Sequence, residues 1–312
     1  MHKPVVIFVY FRLVERVDLL INPMVRNHRH HAERIDRVLG GAYDVRQSVS
    51  AWPGHLIELA ETASREGADA VVVLGGDGSI NEVVNGLLAH RENTTRLLVF
   101  PTGTGNDLSR TLEVRADIDE LSSILRRGRT RALDVGRAQF IDRDGVGATR
   151  YFVNITDVGM GGVTVQTLHN EERWLTPRLA YMKAILMTFL TYRKQRVRYV
   201  HGATDGTRDI VGLVVANGRY FGSGLGIAPA ADLSDGRLEV VCLGDISMMD
   251  YLRNLGRLMR CRPVDHPEVD YEQCTSITIE GADVPIDMDG EFVGFCPLRI
   301  EAVPAALDVL VP

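Results

Sequence analysis

Residues 71–88 read VVVLGGDGSINEVVNGLL. An aliphatic run stops at Gly75 and Gly76, a carboxylate follows at Asp77, then Gly78 and a helix-like pattern. Glycines ahead of a helix N-terminus let backbone N–H groups approach an anion, and the helix dipole favours phosphate there. Asp77 does not suit a pure anion site. A carboxylate beside phosphates makes sense with Mg²⁺ between them; the plainer alternative is an Asp that stabilises a tight turn. Ser79 and Glu82 have capping-box spacing, which predicts Ser79 as N-cap and Glu82 as its capping partner. Residues 101–110, PTGTGNDLSR, repeat the form with glycines and hydroxyls before a helix, and Thr104 and Asp107 again have capping-box spacing. Two anion-suited loops at neighbouring strand ends point to one polyphosphate ligand. No Gly-Lys pair, GxGxxG, HRD or DFG occurs, so neither a P-loop, a dinucleotide fingerprint nor the protein-kinase set is present.

The elements that must carry these loops alternate. VDLLINP reads as a strand ending at Asn22-Pro23, residues 28–39 as a polar helix, AYDVRQSVS as a strand, and HLIELAETASREG as a helix ending on Gly67. ADAVVVLGG and RLLVFP are short β-branched runs of the kind buried in parallel sheets. Strands alternating with helices argue for a parallel α/β sheet, whose ligands sit beyond the carboxyl ends of the strands. After residue 131 the pattern changes to extended, glycine-rich segments that predict antiparallel strands, interrupted by helical stretches near residues 177–196 and 247–260. The expected fold is α/β plus β. An N-terminal parallel α/β domain (residues 1–131) precedes a β-rich, sandwich-like domain with two helical insertions (residues 132–312). The last residues are free to pack back on the first domain, and the cleft between the domains is the expected site.

Composition narrows the classes. The formal net charge of −6 gives no global basic field for nucleic acid. Hydrophobic content of 45% with 24% charged residues is an ordinary globular balance. Four widely spaced cysteines without a CxxC pair read as reduced and cytosolic. No apolar run approaches the roughly 18 residues of a membrane span. The N-terminal run PVVIFVYF lacks a small-residue cleavage site, so it is not read as a signal peptide.

At the level of whole motifs the chain resembles the diacylglycerol, sphingosine and ceramide lipid kinases, including their bacterial soluble members. The resemblance is carried, in order, by GGDGSINEVVNGL, FPTGTGNDLSR, RLAYMKAILMTFLTYRKQRVR, NGRYFGSGLGIAPAADLSDGRLEVV and IDMDGEF. It implies ATP-dependent, Mg²⁺-dependent phosphorylation of a lipid hydroxyl. The protein would be cytoplasmic and peripherally membrane-associated; its partner would be a lipid at a membrane surface, not nucleic acid, with a homodimer admitted. By position it implies Asn22, Gly75, Gly76, Asp77, Gly78 and Glu82, with Thr102, Gly103, Thr104, Gly105 and Asn106, as nucleotide-binding residues. Asp77 would hold Mg²⁺, and Asp232 and Asp235 a second, structural Mg²⁺. Asp289 and Glu291 would supply the catalytic base, since a positioned carboxylate can take a hydroxyl's proton as the bond to phosphorus forms. The plainer reading of MDGEF is a β-turn with Asp-Gly at its centre.

The match departs at NPMVRN, where members carry a small residue and glycine, and at Gly161 and Gly162, where some carry an acid. Arg26 in the first of these either binds phosphate or obstructs it. The segment before Val17 has no counterpart in the family. Two other functions stay open: a kinase for a non-lipid hydroxyl, since NAD kinases and phosphofructokinases share GGDG, and a nucleotide-binding regulator without turnover. His28, His30 and His31 read as a solvated face, RKQRVR (193–198) as a charged helix end or a lipid-headgroup contact, and Ile185, Leu186 and Phe189 as core or acyl-chain pocket.

Overall fold

The computed structural model describes residues 14–90, 92–168 and 177–312, and for residues 165–168 and 177–182 the backbone alone. The N-terminal part runs β1 (Arg16–Ile21), α1 (His28–Leu39), β2 (Asp44–Val49), α2 (His55–Arg65), β3 (Ala70–Gly75), α3 (Asp77–Ala89), β4 (Arg96–Pro101), α4 (Asp107–Thr111) and α5 (Ile118–Arg127). Its strands are parallel in the order β4-β3-β1-β2. Every residue of β3 and β4 is buried, because helices cover both faces. Alternation along β3 divides the core: Val71 and Val73 pack with Leu56 and Ala60 of α2 and Ile80, Val83 and Leu87 of α3, whereas Val72 and Leu74 pack with Ile35 of α1 and Leu121 and Ile124 of α5.

The C-terminal part continues with β5 (Thr130–Asp142), β6 (Gly147–Phe152), β7 (Ile155–Gly159), α6 (Met160–Leu168), α7 (Pro177–Thr191), β8 (Gln195–His201), β9 (Thr204–Ile210) and β10 (Gly212–Ala216). The short pair β11 (Tyr220–Phe221) and β12 (Leu225–Gly226) follows, then β13 (Leu238–Leu243), α8 (Met248–Leu258), β14 (Val269–Cys274), β15 (Ser276–Glu280), β16 (Pro285–Met288) and β17 (Glu291–Leu310). Strands β14-β13-β10-β7-β16-β17 form one antiparallel run, and β5, β6, β8, β9 and β15 make the second layer through β17. Residues of β10 alternate between the two cores: Leu213 and Val215 face the sandwich interior, and Val214 and Ala216 face Ile185 of α7 and Tyr251 and Leu258 of α8.

Strand β17 joins the two parts. It pairs along most of its length with β5, and Val309 lies beside Leu97 of β4 in parallel. Leu307 and Val309 thereby complete the N-terminal core. Two features differ from the sequence reading. A third helical segment, α6, follows β7 despite Gly161 and Gly162, because the Asp157 carboxylate accepts their backbone N–H groups and caps the helix. The RKQRVR stretch is largely strand β8; its charges are spent on ion pairs, Lys194 with Asp245, Arg196 with Asp209, and Arg198 with Asp205 and Glu280.

Helices α2 and α3 cross at Gly86, where a Cβ would press into the Ile57 carbonyl and lie 2.8 Å from Ala60 Cβ. Gly86→Ala is expected to cost about 1–3 kcal/mol through this overpacking, read as a lowered denaturation midpoint. An unchanged midpoint would mean that the helices do not meet there.

Candidate active site

The two glycine loops touch. A Cβ on Gly76 would lie 2.9 Å from Gly103 Cα, so only glycine lets these backbones meet. Asn106, in the left-handed region at φ 52°, closes the second loop on itself: its Oδ1 accepts from Gly103 N at 3.0 Å and its Nδ2 donates to Gly103 O at 2.9 Å. Thr102 N bonds Gly75 O at 3.0 Å, and the Thr102 hydroxyl is buried without a partner among the described residues. Gly75, Gly76, Asp77 and Gly78 are thus brought against Thr102, Gly103, Thr104, Gly105 and Asn106.

Neither predicted capping box forms. Helix α3 starts at Asp77, two residues before Ser79, and the Ser79 hydroxyl instead accepts from Asn22 Nδ2 at 2.9 Å. The other end of the Asn22 amide accepts from Met24 N at 2.9 Å. Asn22, expected at the nucleotide, therefore spends its amide on holding the NPMVRN turn to α3. Val25 is buried there and Arg26 is exposed. Glu82 was likewise expected at the nucleotide. Its carboxylate reaches across to α2, accepting from Leu56 N at 3.2 Å and from Gly54 N. It caps a helix whose own N-cap, Gly54, has no side chain to offer. Burial raises the Glu82 pKa against the pull of these bonds.

Asp77 caps the other helix: its Oδ1 accepts from Asp107 N at 2.9 Å and Leu108 N at 3.2 Å, at the N-terminus of α4. Asp107 accepts in turn from Ser223 N at 2.9 Å and from Arg110. Burial first, and then the Asp77 charge, push the Asp107 carboxyl up to about 6. Two carboxylates in mutual repulsion on the wall of a polar cleft are suited to a divalent cation. Asp77 Oδ2 is the oxygen that would be left to hold one, since both backbone bonds fall on Oδ1. Among the described residues no group of three or more His, Cys, Asp or Glu forms a self-sufficient metal site.

The opposite wall comes from the β-rich part. Asn154, Ile155, Ser223, Asp287, Asp289 and Gly290 face Asp77, Thr104 and Asp107 across a cleft of about 730 Å³, open mouth included. Asp289, expected to supply the catalytic base, lines this cleft and is held by four donors. Its Oδ2 accepts from Asn81 Nδ2 at 2.7 Å and Val153 N at 2.9 Å, and its Oδ1 from Asn154 N at 3.0 Å and Ile155 N at 2.9 Å. A carboxylate offers about four lone-pair sites, and all four are used. Burial raises its pKa while the four donors pull it back. Glu291 pairs with Arg150 Nη2 at 2.7 Å and stands over Gly78, where a Cβ would be 3.5 Å from its Oε1.

Asp232 and Asp235 lie apart from the cleft. Asp232 belongs to a separate surface pocket with Arg129, Arg131 and Arg219. It accepts from Ser234 N at 3.0 Å and is paired with Arg131, while Asp235 accepts from Arg237 N at 2.9 Å. The Arg131 guanidinium stands where a second Mg²⁺ was expected, so these residues do not fit that ion.

Four polar positions around the cleft escaped the sequence reading. Asn81, fully buried, donates to Asp289 and to Tyr151 O, and accepts from Arg150. One turn on, Asn85 accepts from Tyr151 N and donates to Tyr151 O. Their i,i+4 spacing on α3, off the apolar face, is the signal that could have found them. Asp157 and Asp287, directly opposite on β7 and β16, had none. Burial is the main cause that pushes Asp157 up to about 7, and burial with the Asp157 charge holds Asp287 well above the usual carboxylate range.

Behind the cleft lies an apolar pocket of about 750 Å³, open mouth included, walled by Ile185 and Phe189 of α7, Val214 of β10, and Tyr251 and Leu258 of α8. Phe221 borders both it and the polar cleft. Leu186 packs in the adjoining core rather than in the pocket wall.

A three-layer α/β domain and a β-sandwich thus flank one polar cleft. Residues 17–138 match the diacylglycerol kinase catalytic domain, and residues 156–311 match the YegS C-terminal NAD kinase beta sandwich-like domain. A diacylglycerol kinase of Mycobacterium tuberculosis is 31% identical over 290 residues, covering 91% of this chain and 87% of that protein. One of Staphylococcus aureus is 26% identical over 308 residues, covering 96% and 93%. The chain belongs to the diacylglycerol kinase family and is a kinase. A Bacillus anthracis diacylglycerol kinase crystal structure superposes with a TM-score of 0.71 at 20% identity, covering 96% of this chain and 97% of that one. Yeast NADH kinase complexed with NADH gives a TM-score of 0.55 at 11% identity over 96% and 83%. Both structural likenesses speak to the fold.

Two outcomes follow from this geometry. Asp289→Asn places an amide N–H₂ against one of the two donor pairs, so it should lower stability by about 1–3 kcal/mol, read by denaturant titration. An unchanged midpoint would contradict the four-bond clamp. The folded state binds a proton at Asp157 more tightly than the unfolded chain does, so this group's contribution makes stability fall as pH rises from about 4 towards 7. Asp157→Asn should therefore gain stability relative to wild type at pH 8 compared with pH 5; a difference independent of pH would contradict the shift.

Proposed function

We propose that the chain transfers the terminal phosphoryl group of ATP, as its Mg²⁺ complex, to the hydroxyl of a diacylglycerol-like lipid at a membrane surface. The observation that carries this reading is the apolar pocket sharing Phe221 with the polar cleft. A tail held among Ile185, Phe189 and Tyr251 would direct a polar end towards the glycine loops. The names of the curated relatives support the lipid acceptor.

In this reading the backbone N–H groups of residues 76–79 and 104–106 receive the phosphates. The N-terminus of α3 adds its dipole, and Asp77 holds the metal through its remaining oxygen. Mg²⁺ supplies charge neutralisation on the phosphates when bound. Asp289 and Asn81 keep the two walls in register, and the Arg150–Glu291 pair closes the side over Gly78.

Membrane contact is peripheral in this reading. Among the described residues no helix is long and apolar enough to cross a membrane. Met187 and Leu190 of α7 and Met249 and Leu252 of α8 are exposed, with Leu190 67% accessible. They sit on the two helices that wall the apolar pocket. An apolar rim at a pocket mouth is suited to a bilayer interface.

The test is transfer from γ-labelled ATP to diacylglycerol in vesicles, followed by phase separation. Label in the organic phase that depends on Mg²⁺ is expected, and label confined to water-soluble material would overturn the lipid reading. Leu190→Asp with Leu252→Asp should reduce flotation with vesicles at least several-fold while leaving ATP affinity unchanged; equal flotation would overturn the docking face. Asp77→Ala should weaken MgATP use, and should also cost about 1 kcal/mol of stability through the lost α4 cap. Near-normal kinetics at low Mg²⁺ would overturn the metal role.

A further inference from the structure

Trp52 is 53% exposed, and it is the one aromatic among the large apolar side chains that stand exposed in the described residues. A single surface tryptophan is ordinary; the setting of this one is not. The indole lies flat on the His55 imidazole, with ring centroids 3.9 Å apart and planes 17° from parallel. His55 is itself fixed, because its Nδ1 accepts from Ala51 N at 3.0 Å. Pro53 restricts the backbone between the two rings, Gly54 takes the left-handed conformation at φ 86°, and His55 N bonds Trp52 O at 3.2 Å. With one indole face backed by the imidazole, the exposed area lies on the opposite face and the ring edge. A flat π surface held in place beforehand loses little side-chain freedom when something stacks on it.

The sheet sets where this surface lies. Strands β1 and β2 pair in register with Ile21 beside Val49, and Ser50 N bonds Ile21 O at 2.9 Å. Trp52 therefore follows closely on the carboxyl end of β2, as Met24 does on that of β1. Met24 is 77% exposed. Both loops are tied to α3, the helix that opens at the first glycine loop. Asn22 Nδ2 donates to Ser79 in the first turn of α3, while its Oδ1 accepts from Met24 N. Glu82, one turn on, accepts from Gly54 N and Leu56 N. Ligands of parallel α/β sheets lie beyond the carboxyl ends of the strands. A nucleotide with its phosphates at the N-terminus of α3 has a base to place among these loops, and the β2–α2 loop is the one that presents an exposed indole.

We propose that Trp52, backed by His55, is a stacking platform for the base of the phosphoryl donor, with the Met24 thioether at the base's edge, and that this platform admits GTP as a donor beside ATP. This rests on the nucleotide-dependent kinase reading above and assigns the base its place within it. An indole face reads ring area. Every base has a π-face, so stacking on an aromatic side chain tolerates a change of base. Sulfur at a ring edge adds a contact of the same undemanding kind. Two-ring purines cover more of the indole than one-ring pyrimidines and remove more apolar surface from water. The phosphates at the glycine loops are common to every nucleoside triphosphate. The donor preference that follows is purine over pyrimidine, with little distinction between adenine and guanine.

The test uses the full chain and calorimetric titration with MgATP, MgGTP, MgUTP and magnesium tripolyphosphate, which carries phosphates without a base. Trp52→Ala should weaken MgATP and MgGTP by roughly 5- to 100-fold, leave tripolyphosphate affinity and melting temperature unchanged, and bring MgUTP close to MgATP. An MgATP affinity within about twofold of wild type overturns the platform. Trp52→Phe keeps a flat ring and should bind MgATP more tightly than Trp52→Ala; equal weakening of the two would overturn stacking as the cause. A second measurement leaves Trp52 in place. The chain has two tryptophans, Trp52 and Trp174, so Trp174→Phe leaves Trp52 as the sole indole emitter. MgATP and MgGTP should quench that emission and tripolyphosphate should not; no quench by MgATP, or an equal one by tripolyphosphate, overturns the platform. Transfer from γ-labelled GTP should run within about tenfold of transfer from ATP, and a wider gap overturns the donor breadth. If wild type binds MgATP no more tightly than tripolyphosphate, the glycine loops keep their role and the platform falls. If wild type binds neither, the nucleotide reading itself falls and this proposal with it.

Discussion

Asp289 is the residue on which the arrangement of the cleft depends. Buried charge is tolerated only when its hydrogen-bonding capacity is met, and here four donors meet it. Three are backbone N–H groups of residues 153–155, where β6 passes into β7, and the fourth is Asn81 on α3. One carboxylate therefore fixes the β16–β17 turn, the β6–β7 junction and the helix that follows the first glycine loop. Asn81 extends the clamp to Arg150, and Arg150 extends it to Glu291 over Gly78. Loss of any one bond leaves a buried polar group unpaired, so the two walls of the cleft hold one register.

Within that frame, the carboxylates near the phosphate loops divide by the company they keep. Glu82 and Asp77 both cap helices, but Asp77 retains an oxygen towards the cleft and a repelling neighbour in Asp107. Asp289 is saturated. Asp287 keeps one oxygen without a partner among the described residues, beside Asp157, which does the same at the edge of the apolar pocket. Residues that look alike in sequence thus differ in how many donors the fold places around them.

Much of the frame was legible in the sequence, because local rules set it. The β-branched runs ending in glycine became β3 and β4, and the 28–39 pattern became α1 with the same limits. The glycine loops came together as their positions at neighbouring strand ends required. Partners were harder to read. The Asn81–Asp289 bond spans 208 positions, and capping-box spacing at Ser79–Glu82 and Thr104–Asp107 was satisfied by longer-range contacts: Glu82 serves α2, and Asp77 serves α4. Helix α6 was hidden because its glycines hold helical shape through Asp157, a residue outside the helix. Asp232, expected at a second Mg²⁺, is paired instead with Arg131 from β5, a partner about a hundred positions away that no local pattern announces.

The central claim is that the glycine loops and the apolar pocket that shares Phe221 with the cleft serve one reaction. A crystal structure with Mg²⁺, a non-hydrolysable ATP analogue and dioctanoylglycerol tests it most directly. The account predicts phosphates on residues 76–79 and 104–106, acyl chains between α7 and α8, and the free hydroxyl in the polar cleft facing the γ-phosphate. A lipid seated elsewhere, or phosphates away from both glycine loops, would contradict it.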